Sequence, residues 1–169
     1  MLKIFFIFSV LILPFTVRSQ KTPEELGQYL FNYLKEGTLN KIDSLVPTLE
    51  EMIILAEKIG IPKESKQYSD AVNGYNSELE KFHENINQIY SDTIDNKLEW
   101  KKADLQKVIS ISDSMKVDIS DPNSKSVLVT RLSVYFACDT HKFRLTIDDA
   151  FEVNGLWKLG NNIYLKELN

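Results

Sequence analysis

The apolar residues of this chain change their spacing once, near residue 100, and that change restricts the fold more than any motif does. From about residue 23 to residue 95 they recur every three or four positions, the spacing of one helical face. From Leu105 onward they alternate, the spacing of strands covered on one side. Helices followed by strands that are joined through short loops make an α+β domain with an antiparallel sheet. The spacing therefore predicts helices over about 23–95, one of them long, and a curved antiparallel meander of four to five strands over about 105–168. No linker or repeat divides the chain, so residues 20–169 are read as a single domain.

Helix boundaries carry their own chemistry. Thr22-Pro23-Glu24-Glu25 places a capping hydroxyl before a proline that loses nothing at the first helical position, with Glu25 positioned to close a capping box. Leu26, Tyr29, Leu30, Tyr33 and Leu34 follow at helical spacing, and Gly37 ends the run. Thr48 and Glu51 repeat the box spacing ahead of a strongly apolar, core-forming helix that stops at Gly60. The longest helix, about Glu64 to Ile94, carries Tyr68, Val72, Tyr75, Leu79, Phe82, Ile86 and Ile89 at heptad spacing. That seam reads either as a coiled-coil surface or as packing within its own domain. Gly74 and three seam aromatics favour the second.

Strands are expected near 105–111, 115–119, 127–138, 142–152 and 156–167, with Asp121-Pro122-Asn123-Ser124 as a turn. If one face of the sheet holds every large apolar group, the registers follow. A three-residue loop Val153-Asn154-Gly155 pairs Phe151 with Trp157 and Asp149 with Leu159, and is preferred to a two-residue Asn154-Gly155 turn. An even loop around Thr140-His141 pairs Phe136 with Leu145, Val134 with Ile147 and Leu132 with Asp149, leaving Arg131 outside near Asp148. Asp149 then sits in the apolar row. A bulge at Asp148-Asp149 would release it but expel Phe151, so the regular strand is preferred.

A carboxylate in an apolar setting must be hydrogen-bonded, paired or protonated. Three roles for Asp149 follow, in this order: a structural acceptor, the lining of a ligand cavity, and a general acid or base with a shifted pKa. Asp149 and Trp157 are the candidate ligand-binding residues, and no second catalytic residue is visible. Cys138, Asp139 and His141 supply half of a tetrahedral metal site at most, and the register turns Cys138 into the core. His83-Glu84 opens like a zincin helix, but Asn87 stands where the second ligand belongs. No metal or cofactor is implied. The chain has no G-x-S-x-G, no G-x-G-x-x-G and no P-loop.

Residues 1–19 carry the three parts of a secretory signal peptide: Lys3, the apolar run Ile4–Phe15, and Val17-Arg18-Ser19 before the cut. That run is too short to span ~30 Å of hydrocarbon, so no membrane span is expected after cleavage. Cleavage removes Lys3 and Arg18 and no acid, taking the formal charge from −4 to −6. An acidic balance with no Lys/Arg stripe argues against nucleic acid and against an anionic membrane surface. Cys138 is the sole cysteine, so an internal disulfide is impossible, and about 150 residues suffice for a core without one. The absence of an N-x-S/T sequon fits a periplasmic or secreted bacterial protein better than a glycosylated one.

Helices laid over a curved sheet that ends "RLTIDDAFEVNGLWKL" resemble the cystatin-like and NTF2-like group, chiefly over residues 127–169. All helices precede the sheet, which is closer to the cystatin-like plan. The resemblance implies a pocket between sheet and helices. The group includes ketosteroid isomerase, but none of its motif positions occurs here and no catalytic residue carries over. The expected function is a non-enzymatic exported module that binds a small apolar ligand or an envelope protein. The alternatives are a pocket enzyme using Asp149 as acid or base, and an inhibitor or interaction protein acting through the loops Asp121–Lys125 or Asp139–His141.

Overall fold

The computed structural model describes residues 20–91, 97–116 and 126–168. Residues 1–19, the expected end of the long helix and the Asp121–Ser124 turn lie outside the described residues. Among the described residues three helices precede a curved, open antiparallel sheet of five strands, an α+β architecture.

Helix α1 spans Pro23–Glu36 and opens with the Thr22 hydroxyl accepting the Glu25 amide at 3.2 Å. The Glu25 carboxylate accepts the Lys21 amide at 2.8 Å instead of the Thr22 amide, so the reciprocal bond of the expected box is shifted by one residue. Leu26, Leu30, Phe31 and Leu34 are buried. A 3-10 segment, Leu39–Leu45, leads to α2, Leu49–Ile59, whose capping box is complete: Thr48 and Glu51 exchange bonds of 3.2 and 2.8 Å. Helix α2 was expected to form core, yet only Ala56 is fully buried and Ile54 is exposed. It is apolar around more of its circumference than its neighbours can cover.

Helix α3, Lys66–Ser91, turns its heptad seam inward. Phe82, Ile86 and Ile89 join the main core, while Tyr68 and Val72 line a narrow crevice with Met52, Ile53 and Ala56 of α2. A short 3-10 turn, Trp100–Lys102, inserts Trp100 against Phe136, whose ring also stacks on Phe143 at 5.4 Å and meets Phe31 at 5.3 Å. These aromatics anchor α1 to the sheet.

The sheet is built from β1 (Asp104–Lys116), β2 (Ser126–Cys138), β3 (His141–Val153), β4 (Leu156–Leu159) and β5 (Ile163–Leu168). The expected 105–111 strand continues without a break to Lys116, so the start of the expected 115–119 strand belongs to it and 117–119 lie outside the described residues. The expected 156–167 strand is two, broken at Gly160-Asn161-Asn162. Strands run in the order β1-β2-β3-β4, and β5 pairs with the part of β3 that β4 leaves free.

Three register expectations need correction. The β2–β3 turn contains only Asp139 and Thr140, so Phe136 pairs with Phe143, Val134 with Leu145 and Leu132 with Ile147. The inward set is the one expected, slid by two residues, and Arg131 lies outside, bonded to Asp148 at 2.7 Å. The β3–β4 hairpin uses the two-residue Asn154-Gly155 turn, with φ of 53° and 78°, and pairs Glu152 with Trp157 and Ala150 with Leu159. The bulge at Asp148-Asp149 is present: Leu132 faces Ile147 and Thr130 faces Ala150, leaving two residues of β3 opposite Arg131. The physical reason is that β4 is covered on both sides. Trp157, Lys158 and Leu159 are buried consecutively, which a strand with one wet face does not allow.

Candidate functional site

The bulge positions the site. Two residues of β3 oppose one of β2, so the strand bends after Ile147, and the freed backbone is taken up by the break between β4 and β5. The Asp148 amide donates to the Asn162 carbonyl at 2.9 Å, and the Gly160 amide donates to the Asp149 carbonyl at 2.5 Å. A Cβ at Gly160 would stand 2.6 Å from both Asp149 Cβ and its carbonyl oxygen, so only glycine fits this crossing. Asn162 Nδ2 then donates to Asp149 Oδ2 at 2.6 Å. Asp149 is therefore half-buried on a bulge, and its expected place between Leu132 and Leu159 is taken by the regular core pairs.

Beside it opens a cleft of about 490 Å³ between α3, the start of α2 and the β3–β4–β5 junction. Val46, Met52, Leu79, Phe151 and Leu159 line its interior. Asp149, Glu78, Asn161, Asn162 and Tyr75 supply its polar groups. The Tyr75 hydroxyl donates to the Pro47 carbonyl at 3.0 Å, and burial, followed by the nearby Glu51 and Asp43 carboxylates, pushes its pKa up. Glu78 accepts from Lys81 at 2.7 Å and from Asn161 at 2.9 Å, and the Lys81 bond holds its carboxyl below the ordinary range. No ion pair reaches Asp149 among the described residues, so its charge faces the cleft with only an amide bonded to it.

Trp157 is not part of this lining. Its indole belongs to the core, and its amide donates to the Gln20 carbonyl at 2.8 Å, holding the first described residue against β4. The neighbouring Lys158 was missed from the sequence. It is buried, with Nζ 3.4 Å from the Ser44 carbonyl and 3.2 Å from Glu51 Oε2, and so ties β4 to the cap of α2. Residues Tyr75, Glu78, Asn161 and Asn162 were also missed. Of these, only the Gly-Asn-Asn break within a strand pattern carried a readable signal.

The remaining sequence candidates are placed elsewhere. Cys138 is buried with Sγ between the Glu99 amide and carbonyl, at 3.4 and 3.6 Å. His141 pairs with Glu167 at 2.8 Å and His83 with Asp43 at 2.8 Å. Among the described residues no three His, Cys, Asp or Glu side chains converge as metal ligands, and no helix is long and apolar enough to cross a membrane. Among the described residues the cleft lining holds carboxylates, amides and a phenol, but no His, Cys, Ser or Lys. No family model, curated protein or solved structure matches this chain.

Proposed function

We propose that this protein is an exported, non-enzymatic binding module of cystatin-like or NTF2-like plan. Its cleft takes a small ligand with an apolar body and a cationic or hydrogen-bond-donating head. One observation carries this reading: a cleft of about 490 Å³, apolar inside, with an ionisable Asp149 that no cation neutralises among the described residues. Its volume falls in the range of small-molecule sites, and a few convergent polar groups over an apolar lining orient a ligand. The acid/base reading draws less support, because the group bonded to Asp149 is the Asn162 amide, which neither gives nor takes a proton in ordinary chemistry. The loop-inhibitor reading has only the tight Asp139-Thr140 turn to stand on, since Asp121–Lys125 lies outside the described residues.

The test uses decylamine and decanoate, probes of equal apolar body and opposite head charge, in titration calorimetry. Decylamine is expected to bind at least about tenfold more tightly than decanoate, the size of one charge-assisted hydrogen bond. Asp149→Asn should remove that preference, and Leu79→Trp should fill the cleft and abolish binding of both. Failure of decylamine to bind, or binding indifferent to Leu79→Trp, overturns the reading.

A further inference from the structure

The sheet presents a second face, and the register assembles on it a row that the linear sequence hides. Lys107 of β1 lies opposite Tyr135 of β2, Tyr135 opposite Arg144 of β3, and Arg144 opposite Lys166 of β5. These side chains point away from the core because their strand neighbours Phe136, Phe143 and Leu145 point into it. Lys142 and Arg131 share the face. The described carboxylates on the same face are few: Asp148 is bonded to Arg131, Asp113 lies at the far end, and Asp104 is bonded to Lys35.

Two independent features show that the row is not self-satisfied. Arg144 and Lys166 are cross-strand partners of like charge, an arrangement that destabilises a sheet unless an anion relieves it. Lys142 stands two residues from Arg144, and among the described residues none of the three forms an ion pair. Arg144 Nε is also enclosed, with no acceptor among the described residues. Within the row Lys107 Nζ lies over the Tyr135 ring at 5.0 Å. Next to the cations project Ile109, Ile111 and Tyr164, which are 38%, 66% and 54% exposed.

We propose that this face docks on an anionic lipid surface. Complementary charge selects the partner: in a chain of net charge −4, the cations gathered on this face meet lipid phosphates. The exposed isoleucines and Tyr164 lie on the side that meets the headgroups, where a tyrosine's apolar ring and polar tip are both accommodated. An acidic protein partner would also meet the cations, but it would not account for apolar side chains standing exposed among them.

The experiment is sedimentation of residues 20–169, the domain left after the expected cleavage, with phosphatidylglycerol-containing vesicles and with pure phosphatidylcholine vesicles. The apolar run Ile4–Phe15 then contributes nothing to partitioning. Wild type is expected to prefer the anionic vesicles, and to lose that preference as salt rises. The triple variant Lys107→Gln, Arg144→Gln, Lys166→Gln should weaken the anionic partitioning by about five-fold per cation, roughly a hundred-fold in all. A matched triple away from the sheet, Lys63→Gln in the α2–α3 loop with Lys66→Gln and Lys81→Gln on α3, changes net charge equally and should leave it within about two-fold. Circular dichroism melting of both triples establishes that they fold. Equal binding to both vesicle types, or equal loss in the two triples, overturns the proposal. So does binding of soluble polyphosphate or of an acidic peptide without any vesicle preference.

Discussion

Gly160 shows how much a single residue decides in this molecule. It alone lets the chain cross Asp149 closely enough for the 2.5 Å amide bond, and a methyl group there would collide with backbone as well as side chain. Gly160→Ala is expected to cost about 1–3 kcal/mol, the usual penalty of overpacking, measured by urea denaturation. It should also reduce decylamine affinity by moving Asp149. Glu167 offers a residue-scale test in pH. Hydrogen bonds from Lys97 at 3.0 Å and His141 at 2.8 Å hold its carboxyl below its ordinary value of 4.5. A lowered folded-state pKa means that stability is present above pH 4.5 and lost as pH falls through the folded value. The stability gap between wild type and Glu167→Gln should accordingly be open at pH 6 and close as pH falls through the lowered folded-state value in acid-denaturation curves.

At the scale of elements, α2 is held less by its apolar face than by its first turn. Glu51 accepts from the Thr48 amide and forms an ion pair with buried Lys158, so one carboxylate joins the helix cap to β4. Thr48→Ala should cost about 1 kcal/mol and Lys158→Met about 1–3 kcal/mol in denaturant midpoints. Because both act through Glu51, the double variant should depart from additivity by at least about 0.5 kcal/mol. The caps of α1 and α2 were legible in sequence because they are local: residue i bonds residue i+3, whatever the rest of the chain does. Lys158 was not legible, since an alternating strand places it outward and only the position of α2 brings an acceptor to it.

Across the whole molecule, stability concentrates where α1, Trp100 and the central strands meet. Phe136 touches Phe31, Trp100 and Phe143 and is fully buried. Phe136→Ala should cost about 3–5 kcal/mol in equilibrium unfolding, against less than about 1 kcal/mol for Ile54→Ala on α2. Amide hydrogen exchange should follow the same gradient, slowest in β2 and β3 and fastest in α2. The cleft lies at the loose end of that gradient, beside α2.

The sequence by itself determined the order of elements, the inward set Leu132, Val134, Phe136, Phe143, Leu145 and Ile147, and the inward turn of the α3 seam. Each follows from a periodicity that gathers the apolar residues of an element on one face, which is then buried. Tertiary structure alone decided the Asn154-Gly155 register, the Asp148-Asp149 bulge and the release of Asp149 from the core. Alternation assigns faces correctly only when one face is covered, and β4 is covered on both. It alone also aligned Lys107, Arg144 and Lys166, because a row across strands joins residues that no sequence window contains.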